Sequence, residues 1–500
     1  MEPGGFLLVI ILMTSLVPGL VIFFLREQQF ALRTFFNLGG AGLKLALIIS
    51  LLVGVYRDGK TYSFTLNLLP GIDLVLAADA LSLLFATLSA VLWLVTTIYA
   101  IGYLEHSPKR SRFFGFFSLC VSATVGIAFS GNLVTMLIFY EILTLATWPL
   151  VVHRGTPDSF RAGRIYLAYT LIGGAVLLAA VVWLTVLAGS QDFTAGGYLR
   201  DLYPEHEWAL PLLFVMFVVG FGVKAALLPL HSWLPRAMVA PAPVSALLHA
   251  VAVVKAGAFG IVRVMNDVYG IQLAADMGMT LPLMGLAILT VLYGSVRALF
   301  TQDLKRRLAF STVSQVSYII IGVALAGPVG AVGGLVHLVH QGVMKITLFF
   351  CAGNFAETLG IHRIEEMRGV GRRMPWTMAA FTLGGLGMIG APPHGRVHHQ
   401  VVPGDGGPGG GAGLGDRRAA GEQPAQCGVF PAADPGGLVR SAPASLVPGS
   451  FPRRSAGDPL DAAAADAGGG GHGPGYGAAG LVEHQSPVLG DLHRGVRIRL

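Results

Sequence analysis

Apolar runs of similar length recur from the start of this 500-residue chain to about residue 390. Each run has roughly 20 residues, the length that an α-helix needs to cross the hydrocarbon core of a bilayer. The pattern predicts eleven complete membrane spans and the beginning of a twelfth. The predicted spans are residues 5–25, 37–56, 78–104, 113–130, 132–152, 163–189, 208–229, 241–265, 279–299, 308–327 and 330–355, with the twelfth beginning near Trp376.

Composition places the chain in the same class. Hydrophobic residues make up 54% of it and charged residues 12%, a balance typical of integral membrane proteins and unlike that of soluble domains. The first run, from Phe6 to Leu25, has no basic leader and no small-residue cleavage site. We therefore interpret it as the first membrane helix and not as a removed signal peptide.

The basic residues lie in short turns between the apolar runs. A net charge of +7 could indicate a nucleic-acid partner, but these residues are not gathered along one face. Counting spans places six basic segments on the same side of the membrane, and the positive-inside rule makes that side cytoplasmic. We predict a multi-pass protein of the bacterial inner (plasma) membrane with its N-terminus outside. The six segments are Arg26/Arg33, Lys109/Arg110/Arg112, Arg154/Arg161/Arg164, Arg236, Lys305/Arg306/Arg307 and Arg363/Arg368/Arg372/Arg373.

The three cysteines give no sign of redox or metal chemistry. Cys120, Cys351 and Cys427 lie far apart in the sequence, so they predict neither a disulfide framework nor a thiolate cluster for zinc or iron–sulfur. We expect no cofactor and no metal bound by this chain. Whether it is part of an enzyme stays open, because a redox reaction would have to take place in another subunit.

Four ionisable residues stand out inside the predicted spans: Glu141, Lys224, Lys255 and Lys345. A charge at membrane depth is costly, so each is a candidate functional residue by default. Burial disfavours the charged form of both residue types, and a nearby opposite charge restores it. A pair formed by Glu141 and Lys224 would therefore hold or release a proton according to whether it is closed or open. The alternatives are a static buried ion pair, or lysines that extend to the membrane interface.

The eleventh predicted span carries a polar face. His337, Gln341 and Lys345 recur every four residues and so stack along one side of a helix, with His340 adjacent. Such a column suits a hydrogen-bonded proton wire with water in the gaps. For His340, and for His249 in the eighth span, simple hydrogen bonding between packed helices is an equal alternative.

Two prolines follow Lys224 closely. Pro229 and Pro235 remove backbone donors and so interrupt a helix. Interrupted helices are tolerated at membrane depth only where protein or a hydrated cavity covers them, which predicts polar backbone and water beside the lysine. The alternative is that these prolines only end the helix.

The composition changes abruptly after Pro393. Residues 394–500 are rich in Gly, Pro, Ala, Arg and Asp and have no run long enough to span a membrane, a pattern ordinarily typical of disorder. Read one nucleotide downstream, however, the codons of GDRRAAGEQPAQCGVFPAAD permit the apolar string VIAALLASSLLNAAYFLPLI. We hypothesise a frameshift close to Pro393, which makes residues 394–500 a non-native disordered tail.

Several segments carry a family resemblance. Together they cover roughly residues 75–390, and they resemble the proton-conducting membrane transporter family: the antiporter-like subunits of complex I, of Mrp-type multisubunit antiporters and of membrane-bound hydrogenases. The sequence of these segments is most similar to that of the D-type Mrp subunit. The segments are ADALSLLFA near Asp79, YEILTLATWPLV around Glu141, FGVKAALLPLHSWLPRAMVAPAPVSALLHAVAVVKAGAFGIVR around Lys224, QDLKRRLAFSTVSQVSY from Gln302, and HQGVMKITLFFCAGN from His340.

The resemblance implies an all-α polytopic transmembrane bundle of about fourteen helices, with two inverted five-helix repeats that each contain a broken helix. It implies that Glu141 is the helix-five glutamate, Lys224 the broken-helix lysine and Lys255 the central bridging lysine. His337 and Lys345 would belong to the hydrophilic axis that leads to a second half-channel. The family completes that exit with a lysine or glutamate on its twelfth helix. Here the shifted reading supplies a lysine at the position of Gln400, and the chain as written leaves the second repeat incomplete.

These observations predict three regions: N-terminal helices over residues 1–75, a proton-conducting antiporter-like domain over residues 76–393, and the tail. The predicted function is proton translocation in a multisubunit cation/proton antiporter, with Na⁺ or K⁺ as candidate exchanged ions. Expected partners are other membrane subunits and lipid. One alternative is a proton-pumping subunit of NADH:quinone oxidoreductase (complex I) or of a membrane-bound hydrogenase. Another is a structural subunit or an inactive frameshifted product.

Resequencing the gene through the codon of Pro393 tests the frameshift. We expect a single-nucleotide insertion or deletion there, because restoring the frame converts polar residues into apolar spans and places a lysine at position 400. An uninterrupted frame, together with peptides from residues 394–500 detected by mass spectrometry, would reject the hypothesis.

Overall fold

The computed structural model describes residues 5–390. The hypothesised frameshift, the tail and the lysine expected at the position of Gln400 lie outside this range. The helices, in chain order, are α1 (Phe6–Phe24), α2 (Phe30–Tyr56), α3 (Ala80–Tyr103), α4 (Arg110–Phe129), α5 (Leu133–Val151), α6 (Pro157–Ala188), α7 (Ala209–Ala225), α8 (Ala242–Val268), α9 (Thr280–Leu299), α10 (Leu304–Ala324), α11 (Pro328–Leu359) and α12 (Pro375–Ile389).

Within residues 5–390, ten of these helices are long and apolar enough to cross a membrane, and α7 and α12 are shorter. Every predicted span coincides with one helix, so the all-α polytopic fold is confirmed. The second and sixth helices begin earlier than predicted, at Phe30 and Pro157, and the seventh ends at Ala225 and not near Pro229.

The apolar pattern did not predict a β-hairpin between α2 and α3. Strand β1 (Ser63–Leu69) pairs antiparallel with β2 (Ile72–Ala77). Short helices occupy other connections: α-helical Trp233–Arg236, Ile271–Asp276 and Val370–Arg373, and 3₁₀-helical Arg200–Glu205, Ala237–Val239 and Ile364–Met367.

Polar residues at the helix starts explain where several helices begin. Asp79 accepts a hydrogen bond from the Ser82 amide (2.7 Å), and Asn132 accepts one from the Thr135 amide (2.8 Å). Such side chains satisfy amides that have no partner within the helix. Proline stands at the first positions of α6, α11 and α12, where its missing N–H is not needed.

The basic loops lie together on one side of the bundle, which we call the basic face. Glu27 accepts from the Arg110 amide (3.0 Å), and Arg112 donates to the His153 carbonyl (3.5 Å). A cavity of about 480 Å³ is lined by side chains from three of these segments. They include Arg161, Arg236 and Arg306. The loop after α11 joins the loop before α10 on this face, because the Ile364 amide donates to the Gln302 carbonyl (3.0 Å).

The hairpin and the remaining loops meet at the opposite side, the hairpin face. Gly131 donates to the Val75 carbonyl (2.8 Å), and Phe193 donates to the Gly131 carbonyl (2.7 Å). Thr194 in turn donates to the Asp267 carbonyl (3.2 Å). Consecutive loops therefore lie alternately on the basic face and on the hairpin face, as the span count predicts.

The degree of enclosure separates central from peripheral helices. The membrane-length window of α8 is fully buried and that of α10 is 94% buried, whereas those of α2 and α6 are only 33% buried. Small residues permit close contact at the centre. A Cβ on Gly322 of α10, for example, would lie 2.6 Å from the Gly330 carbonyl oxygen of α11. Side chains on α8 and α10 are thus enclosed by protein.

An arginine ties α8 to α3 at the hairpin face. The buried Arg263 guanidinium forms a two-pronged ion pair with Asp79 (2.6 and 2.8 Å) and a further ion pair with Asp267 (2.7 Å). It also donates to the Ser82 hydroxyl (2.8 Å). Arginine suits this position because its planar fork matches a carboxylate. The contact fixes the end of the central helix against the start of α3.

The Asp79 carboxyl makes this contact sensitive to acid. Loss of part of its hydration opposes ionisation of this half-exposed carboxyl, but the Arg263 guanidinium and the Ser82 amide outweigh that effect, so the pKa of Asp79 lies below its usual value. A depressed carboxyl pKa stabilises the fold above the unfolded value of about 3.9, and this contribution is lost as pH falls through the folded value. We expect the melting temperature of the purified protein to fall below about pH 4, and to fall less in Asp79→Asn.

The control is Asp58→Asn, which removes a carboxylate that pairs with Lys60 on the surface. This variant should follow the acid profile of the unaltered protein. Equal acid loss in Asp79→Asn and the unaltered protein would contradict the proposed role of the pair.

Candidate functional site

The ionisable residues predicted from the sequence lie inside the bundle. Lys224, Lys255 and Lys345 are fully buried, and His337 is 2% exposed. Glu141 is partly buried near the middle of α5. None of the three lysines reaches the surface of the bundle, which disfavours the alternative in which they extend to the membrane interface.

Lys224 lies in the last turn of α7. The helix ends in a residue with left-handed backbone, Ala226 (φ 57°), and Leu227 donates back to the Gly222 carbonyl (3.0 Å). The Trp233 indole donates to the Val223 carbonyl (2.7 Å), so a second backbone carbonyl in the last turn of α7 has a hydrogen-bond partner. The predicted interruption is therefore present and is covered by protein. It begins before both prolines.

Lys224 and Glu141 are neighbours without a closed ion pair. The Lys224 ammonium donates to the Tyr140 carbonyl and lies 3.2 Å from the centroid of the Tyr140 ring. No Glu141 oxygen lies within 4.0 Å of the Lys224 nitrogen. The Glu141 carboxyl instead occupies space left by Gly174 on α6, and its buried Oε1 makes no hydrogen bond to the described residues. The static closed pair is therefore not the arrangement seen here.

The central helix α8 is irregular where it carries ionisable residues. Its stretches Leu247–Val251 and Val264–Val268 are π-helical, and Ala252 departs from helical geometry (φ −121°, ψ −81°). Single π-helical turns occur frequently at functional sites. His249 lies in the first of these turns, and Lys255 follows it in the α-helical part.

Two contacts connect α8 to its neighbours. Gly257 brings α8 against α7, since a Cβ there would lie 2.7 Å from the Lys224 carbonyl carbon. Lys255 donates to the Leu338 carbonyl of α11 (2.7 Å). Lys255 thus lies between the Lys224 end of α7 and the polar face of α11.

The polar face predicted on α11 is buried and directed at α10. His337 Nε2 lies 2.8 Å from the Gln315 carbonyl. Lys345 donates to the Leu308 carbonyl (3.2 Å) and to the Ser311 hydroxyl. Gln341 lies between them and is fully buried. His340, by contrast, is only partly buried and lies off this face.

Several buried polar groups near this face make no hydrogen bond to the described residues. They include both nitrogens of His249 and the side-chain amides of Gln315 and Gln341. The His249 ring stacks on Phe349, with 4.5 Å between ring centroids. Buried groups of this kind are commonly satisfied by internal water. The arrangement can therefore support a chain of hydrogen bonds along α8, α10 and α11.

Among the buried cations that the sequence prediction did not single out are Arg263 and Lys44. Arg263 lies near the end of the eighth predicted span, and Lys44 lies within the second, GLKLALIIS. Lys44 is fully buried and donates to the Ser15 hydroxyl (2.5 Å). A charged residue inside an apolar run was the available signal in both cases.

The fold defines a polytopic membrane protein with ionisable side chains buried along its central helices. The family described as NADH:quinone oxidoreductase/Mrp antiporter, transmembrane region, matches residues 130–399, more than half of the chain. A second family, described as the N-terminus of NADH-ubiquinone oxidoreductase (complex I) chain 5, matches residues 70–114. The chain belongs to the NADH:quinone oxidoreductase/Mrp antiporter family, as its motifs predicted.

Named relatives come from more than one kind of complex. The chain is 34% identical over 335 residues to hydrogenase-4 component B of Escherichia coli, covering 64% of this chain and 49% of that protein. It is 34% identical over 331 residues to NADH-quinone oxidoreductase subunit N of Desulforudis audaxviator, covering 65% and 64%. The matches thus span about half to two thirds of each relative's length.

Solved structures share the fold. A chain of the Mrp complex from Dietzia sp. matches with a TM-score of 0.75 at 21% identity, covering 89% of this chain and 81% of that one. At this identity the likeness establishes the helical architecture alone.

The close contact at Gly257 can be tested by Gly257→Ala. The added Cβ would meet the Phe221 carbonyl oxygen and the Lys224 carbonyl carbon, both at 2.7 Å, so we expect a destabilisation of about 1–3 kcal/mol. The measurement is the melting temperature of the purified protein. Gly285→Ala is the matched control, because a Cβ at this helical glycine of α9 meets nothing within 4 Å. Equal effects of the two substitutions would contradict the close approach of α7 and α8.

Proposed function

We propose that this chain is a proton-translocating subunit of a multisubunit membrane assembly. The observation that carries the proposal is the series of buried ionisable side chains on successive helices, from Glu141 on α5 through Lys224 and Lys255 to His337 and Lys345 on α11. Structural helices do not need such groups at membrane depth, where each is costly. Membership of a family named for proton antiporters and quinone oxidoreductases supports the same function.

The proposed transfer begins at Glu141 and Lys224. In the open arrangement, the lysine has only the Tyr140 carbonyl and ring as its near partners among the described residues. Movement of the Glu141 carboxylate towards Lys224 would stabilise the ammonium, and its withdrawal would weaken the hold of the lysine on its proton. The pair thereby works as a gate.

Lys255 receives the released proton in this scheme. Its position between α7 and α11 suits a relay, because its nitrogen already donates to the Leu338 carbonyl, next to His337. The proton then passes along the α11 face that bears His337, Gln341 and Lys345. Water hydrogen-bonded to the amides of Gln315 and Gln341 would fill the gaps.

We place the protein in the bacterial inner membrane with the basic face in the cytoplasm and the N-terminus outside. The support is the accumulation of Lys and Arg in the loops of one face, which is the positive-inside pattern. Its partners are other membrane subunits, since solved relatives occur in multisubunit complexes. The proposed regions remain residues 1–75, 76–393 and the tail, and full transport requires the frame restored near Pro393.

The assembly has two candidate identities. The resemblance to a D-type subunit favours an Mrp-type antiporter, in which H⁺ exchanges for Na⁺ or K⁺. Identity of 34% to a hydrogenase component and to a quinone oxidoreductase subunit favours a redox-driven complex. Purification of the native assembly discriminates between them. Flavin and iron–sulfur subunits would indicate a redox-driven complex, whereas small membrane subunits alone would indicate an Mrp-type antiporter.

Replacing Lys224 tests the proposed transport directly. In the assembled complex with the frame restored, Lys224→Ala should abolish proton movement into vesicles while the helical content and the complex persist, because the gate loses its titrating group. Lys60→Ala is the matched control, since it removes an exposed lysine of the hairpin region that pairs only with Asp58 among the described residues. Proton uptake followed with a pH-sensitive dye measures both. Unchanged uptake in Lys224→Ala would refute the scheme.

A further inference from the structure

A second buried polar track lies outside the axis described above, on the inward face of α2. The face carries Arg33, Asn37 and Lys44, which are at most 1% exposed. Their spacing of four and seven residues keeps them on one side of the helix. Along the axis they are separated by about 6 and 10 Å at a rise of 1.5 Å per residue.

Lys44 has no counterion among residues 5–390. Its nitrogen donates to the Ser15 hydroxyl of α1 (2.5 Å) and lies 5.1 Å from the centroid of the Trp93 ring of α3. No carboxylate of the described residues lies within 4.0 Å of it. The helices that pack against α2 contain no Asp or Glu at all. Their titratable residues are Tyr99 and Tyr103 on α3 and Arg110, Arg112 and Cys120 on α4, while α2 itself adds Arg33 and Tyr56.

Polar groups continue between Asn37 and Lys44. Pro18 lacks the amide that would bond to the Thr14 carbonyl one turn earlier in α1. That carbonyl faces α2, since a Cβ on Gly40 would lie 2.6 Å from its oxygen. The side-chain amide of Asn37 makes no hydrogen bond to the described residues. These groups have the character of sites that buried water occupies.

The two ends of the track differ in polarity. At the basic face, Arg33 donates to the Ser111 hydroxyl (3.0 Å) and lies 3.8 Å from Glu27, whose side chain is 43% exposed. Beyond Lys44, the inward face of α2 continues with the buried apolar residues Ile48 and Leu51. Polar side chains therefore lie between Lys44 and the basic face, and apolar side chains lie on its other side.

We propose that Lys44 is a second intramembrane proton-binding site, loaded and unloaded from the basic face along Asn37 and the Thr14 carbonyl. In the binding step the lone pair of the Lys44 amine takes a proton from water of the track and forms an ammonium. In the release step that proton returns to the same water. An unpaired buried charge is costly, and this cost makes the neutral amine accessible at this position.

The titration of Lys44 is tested through stability. A group that changes its proton count on unfolding makes stability depend on pH. We expect the melting-temperature difference between the full-length protein in its purified complex and its Lys44→Met variant to shift between about pH 6 and pH 10. Lys60→Met, at an exposed lysine, should give a constant difference over the same range. A constant difference for Lys44→Met as well would overturn the proposal.

The one-sided route is tested by thiol labelling, which does not depend on transport. Lys44→Cys is placed in a chain whose Cys120, Cys351 and Cys427 are replaced by Ser, and a hydrophilic thiol reagent is added to either side of oriented vesicles. We expect Lys44→Cys to be labelled from the basic face only. Ile48→Cys, one turn beyond the end of the track, should not be labelled. Labelling of Lys44→Cys from both sides, or from neither, would overturn the proposed route.

Discussion

Keeping ionisable side chains away from bulk water at membrane depth is the constraint on which this structure depends. A charge in that environment is costly unless another group compensates it. The bundle meets this requirement by enclosing α8 and α10 almost completely and leaving the outer sides of α2 and α6 exposed. Protonation of one buried group then affects its neighbours strongly, because little solvent screens them.

Backbone carbonyls act as partners for the buried lysines. Lys224 donates to Tyr140 on α5, Lys255 to Leu338 on α11 and Lys345 to Leu308 on α10. Each lysine thus contacts a helix other than its own, so the ammonium groups help to hold the central helices together. A carbonyl can hold a lysine without fixing its charge as firmly as a carboxylate would.

Much of the fold could be predicted because hydrophobic length is a local property of the sequence. Each apolar run became a helix, and the basic segments assembled on one face. The hairpin of β1 and β2 was missed because it lies in a polar connection where length carries no information. The end of α7 at Ala225 depends on a left-handed residue and on Trp233, ten residues beyond Val223, so no local pattern marked it.

The sequence identified the residues of the candidate site, but it did not predict which groups they contact. Glu141 and Lys224 were identified from their position in apolar runs, but their open arrangement depends on the Tyr140 carbonyl and on the space at Gly174. Coupling between these two groups is the central claim. Infrared difference spectroscopy during a pH step, with Glu141→Gln to assign the Glu141 carboxyl band, measures it most directly. The account predicts that the pH midpoint of that band differs between the unaltered protein and Lys224→Met, and an identical midpoint in both would contradict it.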